Sequence, residues 1–172
     1  MGKGKDALKS LGKYRLFEDL DEGHLEKFRK VIKVRDYPAQ QVIFHEGEVG
    51  DSLYLLLEGK VEINQALTLQ LSRGSYDTRE KAIINLTSDM FPVFGEMSLL
   101  GNDDKRTATV KATTGCKMGV NKKDEFFAIC NSDPELGFKV MRNVASIVTD
   151  NLIKANQNVL KLTTAFSLIL EK

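Results

Sequence analysis

The hydrophobic pattern of this chain changes period near residue 122, and the change limits the fold more than any single motif does. Before that point, short apolar segments are separated by glycine-bearing turns, as in residues 42–44, 53–57 and 61–64. After it, apolar residues recur three to four positions apart. Period two is typical of strands, and a spacing of three to four is typical of helices. We therefore expect a β domain followed by helices.

The many short strands predict an antiparallel β-barrel or jelly roll. Further strand-like segments occupy residues 82–86, 107–112 and 116–120. Residues 58–60 predict a tight hairpin because they carry a glycine between two strands. Residues 65–82 predict a long hairpin with a flexible tip. The fold class expected is α+β and mainly β, a jelly roll of the double-stranded β-helix type with an N-terminal helix and C-terminal helices.

The N-terminal part predicts a mobile segment followed by a short helix. Residues 1–13 are rich in Lys and Gly, so we expect them to be mobile, with the core beginning at Tyr14 or Leu16. Asp21 is placed to cap a helix whose apolar residues lie three to four apart: Leu25, Phe28 and Ile32. The β domain and its short flanking helices are expected over residues 14–132.

The C-terminal part predicts a short helix over residues 123–130 and a long helix with its tail over residues 133–172. Asp133 is placed at the cap of the long helix, and Pro134 in its first turn. Its apolar stripe comprises Val140, Val144, Ile147, Val148, Leu152, Ala155, Val159, Leu162 and Phe166. The stripe extends about four or five turns beyond a small barrel, so we expect a homodimer through this helix. The alternative is a bend at Asn156 or Asn158 that folds the helix back.

Composition excludes several classes of protein. The 25 basic and 24 acidic residues give a net charge of +1, which provides no field to attract nucleic acid. No apolar run is long enough to span a bilayer or to form a signal peptide. We therefore expect a soluble, cytoplasmic protein without a nucleic-acid or membrane partner. Cys116 and Cys130 lack metal-type or redox-type spacing and are expected to be small buried hydrophobes.

Residues 94–100 and 106–110 combine the residue types of an anion pocket. Gly95 lets backbone approach a ligand, and successive backbone N–H groups bind oxygen anions. Arg106 adds a charged fork suited to phosphate. Glu96 would repel a phosphate, so it is expected to accept from a sugar hydroxyl. These types predict a ligand with one phosphate and one ribose, and the alternative is a turn with a solvated ion pair.

The order of elements and two glycine-bearing motifs resemble the cyclic nucleotide-binding domain, over about residues 17–152. Residues 47–61 are similar to the first glycine turn of that family and the hairpin after it. Residues 94–100 resemble its phosphate-binding cassette, and residues 106–112 resemble the second half of that cassette. The resemblance implies cAMP or cGMP as the ligand, and no cofactor.

The resemblance also implies roles for individual residues. In the family, the residue at the position of Glu96 accepts from the ribose 2′-hydroxyl, and the residue at the position of Arg106 pairs with the phosphate. Thr149 and Asn151 lie about where the family places a base-covering residue, and the alternative is that both are polar groups facing solvent. The full set expected to bind the ligand is Phe94, Gly95, Glu96, Met97, Ser98, Arg106, Thr107 and Ala108.

Three features bear on how closely the chain follows the family. Residues 87–93 lack the usual turn glycine and carry Pro92 close to the expected pocket. The hairpin over residues 65–82 is longer than the family pattern. Thr107 offers a hydroxyl, as in members that prefer cGMP.

The function expected is a cyclic nucleotide sensor that moves its C-terminal helices and signals to an unidentified effector protein. The chain after residue 152 is too short for the helix-turn-helix of the family's transcription factors, so we expect the sensor to stand alone. The alternative is an interaction module of the same fold that has lost nucleotide binding or binds another anion. Retention of Glu96 and Arg106 argues against that alternative. His24 and His45 lie in unrelated contexts without a nucleophile or metal-ligand spacing, so we expect no enzyme.

Overall fold

The β region forms two four-stranded antiparallel sheets in a computed structural model that describes residues 8–72, 75–101 and 104–170. One sheet has the order β1-β8-β3-β6, and the other has the order β2-β7-β4-β5. The jelly roll predicted from the short strands is confirmed. The strands are β1 (Lys33–Tyr37), β2 (Val42–Phe44), β3 (Ser52–Glu58), β4 (Lys60–Ser72), β5 (Ser75–Thr87), β6 (Val93–Phe94), β7 (Thr109–Ala112) and β8 (Cys116–Lys122).

The predicted tight hairpin at residues 58–60 is wrong. β3 pairs with β6 and β8, whereas β4 pairs with β5 and β7, so the chain passes from one sheet to the other. Gly59 makes this crossing with φ +96°, and a Cβ there would lie 2.5 Å from the carbonyl oxygen of Gly115. Alternation along a strand indicates which residues face the core, but it does not indicate which sheet the strand joins.

The long hairpin predicted over residues 65–82 is formed by β4 and β5, which have 13 residues each. β4 also pairs with β7, at residues 61–64. Beyond those residues the described backbone continues as a two-stranded ribbon. The predicted flexible tip includes residues 73–74, which lie outside the described residues.

The helices begin where the sequence places their caps. The carboxylate of Asp21 accepts from the backbone N–H of His24 at 2.8 Å. Asp133 accepts from the backbone N–H of Leu136 at 3.2 Å and starts the long helix. The α-helices of the described chain are α1 (Glu22–Val31), α2 (Glu96–Leu100), α3 (Lys123–Ser132) and α4 (Pro134–Leu170).

The core begins earlier than predicted, because part of the segment expected to be mobile is packed. Leu8 is 3% exposed, and Leu11 is fully buried at the start of a 3-10 helix, Leu11–Lys13. A second 3-10 helix covers Arg15–Phe17. The prediction of mobility over residues 1–13 is therefore wrong for residues 8–13, since two leucines one helical turn apart supply an apolar face within a polar composition. Residues 1–7 lie outside the described residues.

The buried side chains form two clusters. The first joins the N-terminal segment, α1, α3 and the beginning of α4. Cys130 belongs to this cluster and Cys116 to the second, and both are buried free thiols as predicted. The second cluster fills the inside of the roll with Phe44, Leu56, Val61, Phe94, Val110, Ala112, Cys116 and Met118.

α4 is one continuous helix, and its two halves differ in burial. Leu136, Val140 and Val144 are buried against the first cluster. Residues 151–170 are all exposed, so the predicted alternative of a bend that folds the helix back is wrong. Within the described ranges, none of the helices is apolar enough over sufficient length to cross a membrane.

Candidate functional site

The two predicted motifs meet in a cavity of about 510 Å³ between the roll and α4. Pro92, which departs from the family pattern, also lines the cavity. Of the two residues predicted to contact a base, Asn151 lines the cavity, whereas Thr149 is exposed and is not part of its lining. All eight residues predicted from the motifs line it: Phe94, Gly95, Glu96, Met97, Ser98, Arg106, Thr107 and Ala108.

Gly95 makes the turn between β6 and α2. Its φ of +84° lies in the left-handed region that favours glycine. A Cβ at this position would also lie 2.6 Å from Nη1 of Arg106 and 3.0 Å from the carbonyl oxygen of Ser52. The residue is therefore required to be glycine for two independent reasons, its backbone conformation and the space that Arg106 occupies.

Arg106 lies beside this turn with 4% of its surface exposed. Its Nη1 donates to Oγ of Ser98 at 2.7 Å and to the carbonyl oxygen of Gly95 at 3.2 Å. Its Nη2 donates to the carbonyl oxygen of Ser52 at 2.8 Å. All three acceptors are neutral, and no carboxylate of the described residues lies within 4.0 Å of the guanidinium nitrogens. The buried guanidinium therefore has no carboxylate in direct contact among the described residues.

Burial lowers the pKa of Arg106 from its ordinary value, and the neighbouring Tyr54 together with the charges of Asp51 and Glu48 opposes that shift. An arginine remains charged despite such a shift, because its pKa begins far above neutrality. A buried charge without a partner is costly, and an anion brought into contact with it relieves that cost. The electrostatics of the cavity therefore favour an anionic ligand next to Arg106.

Glu96, the first residue of α2, is 9% exposed and carries the second unusual charge of the cavity. Burial raises the pKa of its carboxyl, while its own backbone N–H and the charge of Arg106 act in the opposite direction. No other described side chain donates a hydrogen bond to it. Buried carboxylate oxygens are usually hydrogen-bonded, so this one is available to a donor on a ligand. The solvated ion pair considered as an alternative is wrong, since both side chains are buried and do not form an ion pair.

Gly50 is a site residue that the sequence indicated only as part of a turn. A Cβ there would lie 2.5 Å from both Nε of Arg106 and Oγ of Ser98. The glycine turn of residues 47–52 was the available signal for this position. Ser98 was predicted for its backbone N–H, whereas its hydroxyl donates to the carbonyl oxygen of Gly95 at 3.0 Å and accepts from Arg106.

Two aromatic rings lie against the guanidinium, and a third ring stacks on one of them. Cζ of Arg106 lies 4.2 Å from the ring centroid of Phe44 and 5.5 Å from that of Tyr54. Tyr54 stacks on Phe94 with centroids 5.5 Å apart and an interplanar angle of 1°. The sequence placed Phe44 and Tyr54 in strands and gave no signal that either belongs to the site.

At the end of the cavity nearer to α4, the N-terminal segment contacts that helix. Arg15 lines the cavity, donating from Nη1 to the carboxylate of Asp150 at 2.5 Å and from Nη2 to Oγ of Ser146 at 2.7 Å. Sequence reasoning missed this contact, because nothing local connects residues that are 135 positions apart. The lining residues of α4 are Ile147, Asp150, Asn151, Lys154, Ala155 and Asn158.

Known proteins resemble this chain over the region that builds the cavity. Residues 34–133 match the model of the cyclic nucleotide-binding domain. The chain is 28% identical over 130 residues to a cyclic nucleotide-gated potassium channel of Mesorhizobium japonicum, covering 76% of this chain and 31% of the channel. It is 26% identical over 154 residues to a CRP-like cAMP-activated global transcriptional regulator of Mycobacterium tuberculosis, covering 88% of this chain and 61% of the regulator. The chain thus spans less than two thirds of either relative.

A solved structure agrees with these sequence matches. The catabolite activator protein of Thermus thermophilus has a TM-score of 0.72 to this chain at 25% identity, covering 87% of this chain and 63% of the other. Both the fold and the family resemblance inferred from the motifs are confirmed. Because the match extends from β1 to the beginning of α4 and the architecture agrees with it, the chain belongs to the cyclic nucleotide-binding domain family.

Proposed function

We propose that this chain is a sensor that binds cAMP or cGMP in the cavity between the roll and α4. The observation that carries the proposal is the pair of uncompensated groups at one end of the cavity. Among the described residues, Arg106 has no carboxylate in contact and Glu96 has no donor from another side chain, although both are buried. A cyclic nucleotide supplies one phosphate anion and one ribose hydroxyl, which satisfies both groups at once.

In this proposal the phosphate oxygens bind Arg106, and the ribose 2′-hydroxyl donates to the carboxylate of Glu96. Phe94 packs beneath the site through its contact with Tyr54. The hydroxyl of Thr107, on the same cavity wall, is available to either nucleotide. Backbone N–H groups complete the phosphate site at Gly95, Met97, Ser98, Thr107 and Ala108.

The signal in this proposal is a change in the position of α3 and α4. The base lies against α4 near Asn151, so the ligand contacts the roll and the helix together. A ligand biases such a movement only if it binds one helix position more tightly than the other. Because the ligand contacts both the roll and α4, its affinity depends on the position of the helix. An effector protein then recognises the altered surface of the helices.

We also propose that the exposed half of α4 forms a homodimer. Its apolar residues are spaced four and three apart, which is the pattern of a coiled-coil seam. Their large side chains are from 39% to 69% exposed, and a second copy would place an identical stripe opposite them. The seam consists of Val148, Leu152, Ala155, Val159, Leu162, Phe166 and Ile169.

Calorimetric titration with cAMP and with cGMP tests the binding proposal. We expect at least one nucleotide to bind at sub-millimolar concentration, and Arg106→Ala to lose more than about tenfold in affinity, because a hydrogen bond to a charged group contributes roughly 1.5–3 kcal/mol. Arg35→Ala is the matched control, since Arg35 is an exposed arginine on β1 outside the cavity lining. Absence of binding by both nucleotides would support the alternative of an interaction module.

Light scattering tests the homodimer. We expect the full chain to have the mass of two copies and Val159→Glu to have the mass of one, since the substitution places a charge in the centre of the seam. Lys161→Glu is the control, because Lys161 lies outside the seam. A monomeric wild type at micromolar concentration would contradict the proposal.

A further inference from the structure

Phe44 and Tyr54 contact the guanidinium of Arg106, and the nucleotide site proposed above assigns no role to that contact. We infer that they are positioning residues, whose ring faces hold Arg106 in place while leaving its charge available to a phosphate. The inference rests on the proposed function, because it concerns the affinity of the same cavity for its anion.

Cζ of Arg106 lies over the faces of both rings, and the guanidinium nitrogens donate to neutral oxygens. Phe44 lies nearer, with its centroid 4.2 Å from Cζ of Arg106, and Tyr54 lies at 5.5 Å. The centroids of these two rings are 5.5 Å apart and their planes are tilted by 45°, so the rings contact each other. Phe44 is buried and Tyr54 is half-buried, which shields this contact from water. A cation over an aromatic face is attracted most strongly when it is desolvated in this way.

This arrangement differs physically from an ion pair. A carboxylate would hold the arginine equally well, but it would neutralise the charge and would have to separate from it when a phosphate bound. An aromatic face attracts the cation through its quadrupole and carries no net charge of its own. Arg106 is therefore positioned before the ligand arrives, and a ligand phosphate can contact it without displacing a carboxylate of the described residues.

The glycines beside Arg106 let the guanidinium lie directly against the backbone. A Cβ at Gly50 would lie 2.5 Å from Nε of Arg106, and a Cβ at Gly95 would lie 2.6 Å from its Nη1. The contacts with Phe44 and Tyr54 add to the three hydrogen bonds that hold the group in this space.

Fluorination of Phe44 is the direct test, because each fluorine weakens the ring quadrupole with little change in size. We expect the affinity for the cyclic nucleotide to fall stepwise from phenylalanine through mono-, di- and trifluorophenylalanine at position 44, by about 3- to 30-fold over the series. The same series at Phe28, a buried ring of the first core cluster, is the control and should leave affinity unchanged. Equal affinity across the series at position 44 would overturn the inference.

A double-mutant cycle separates positioning from general packing. Phe44→Leu should weaken binding in the wild type by about 3- to 30-fold, but should weaken it much less in the Arg106→Gln background, where no cation remains. Tyr54→Phe keeps the ring but loses the hydroxyl that also interacts with Arg106, so it should retain more affinity than Tyr54→Leu, which loses both. Equal losses from Phe44→Leu in both backgrounds would mean that the ring acts only through packing.

A measurement without ligand distinguishes failure of this inference from failure of the proposed function. In the NMR spectrum of the free protein, the Nε–H of Arg106 should be shifted upfield by the ring current and protected from exchange, and Phe44→Leu should remove both effects. A wild type that binds neither nucleotide but retains this signal would overturn the proposed function alone. Absence of the shift in the free protein would overturn the inference, whatever binds.

Discussion

Two arginines line the same cavity, and they are held in opposite ways. Arg106 is almost fully buried, and its described partners are neutral oxygens and aromatic faces. Arg15 has a side chain that is 46% exposed and pairs with the carboxylate of Asp150. A surface ion pair is satisfied within the protein and is screened by solvent. A buried cation without a counter-charge is not satisfied, so the end of the cavity at Arg106 is arranged for a ligand and the end at Arg15 for the protein itself.

Replacing each arginine by lysine is expected to give the largest difference in nucleotide affinity between the two positions. Arg106→Lys keeps the charge but loses the planar fork, so we expect the affinity for cAMP or cGMP to fall by more than about tenfold. Arg15→Lys preserves an exposed ion pair with Asp150 and should change affinity by less than about twofold. Calorimetric titration of both variants measures the difference. Similar losses in the two variants would mean that the two ends of the cavity do not differ in role.

Four glycines allow the space around Arg106 to be tested separately from backbone strain. Gly95 and Gly47 have a positive φ, whereas Gly50 and Gly115 do not. An added Cβ would clash with Arg106 at Gly95 and Gly50, and it would meet open space at Gly47 and Gly115. We expect alanine at Gly95 and Gly47 to lower the free energy of unfolding by about 1–2 kcal/mol through strain. Alanine at Gly95 and Gly50 should weaken nucleotide binding. Urea unfolding and titration of the four variants measure both effects.

The control is Gly115→Ala, which should leave both quantities unchanged. If Gly47→Ala weakened nucleotide binding as much as Gly50→Ala does, the effect would come from the turn as a whole. The assignment of Gly50 to the space beside Arg106 would then be wrong.

The sequence predicted those parts of the fold that local signals determine. Asp21 and Asp133 cap their helices as expected, because a cap involves residues three apart. The predicted pairing of β3 with β4 was wrong, because the partners of each strand lie elsewhere in the chain. A glycine at position 59 is equally compatible with a hairpin turn and with a crossing between sheets. Local pattern thus determined the elements, whereas their partners depended on the whole fold.

The same distinction applies to the site. The eight predicted ligand-binding residues line one cavity because two motifs within 15 positions contain all of them, from Phe94 to Ala108. Arg15, Phe44 and Tyr54 were missed because each reaches Arg106 or α4 from a distant part of the chain. Their residue types are ordinary for a surface turn and for buried strands, so no local signal distinguished them.

Titration of Glu96 tests the buried end of the cavity by its effect on stability. Burial raises the pKa of the folded carboxyl above its ordinary value of 4.5. As pH rises from about 4.5 through the raised pKa, the unfolded chain releases its proton before the folded protein does, so the folded state becomes less favoured. We therefore expect the stability of the wild type to decrease, relative to Glu96→Gln, as pH rises through this window. Urea unfolding of both proteins between pH 4 and pH 8 measures the difference. A wild type that became more stable relative to Glu96→Gln as pH rose would contradict the burial of the charge.

The smallest effect is expected where the cavity is held by the exposed ion pair. Arg15→Ala removes the bonds to Asp150 and Ser146, but Asn143 of α4 still donates to the carbonyl oxygens of Leu16 and Glu18. We therefore expect α4 to stay in place and nucleotide affinity to fall by less than about fivefold, since exposed ion pairs contribute roughly 0.2–1 kcal/mol. Raising the salt concentration should reduce the difference between wild type and variant, because screening weakens the pair in the wild type. A salt-independent loss of more than tenfold on titration would mean that Arg15 contacts the ligand directly, and the two arginines would then share one role.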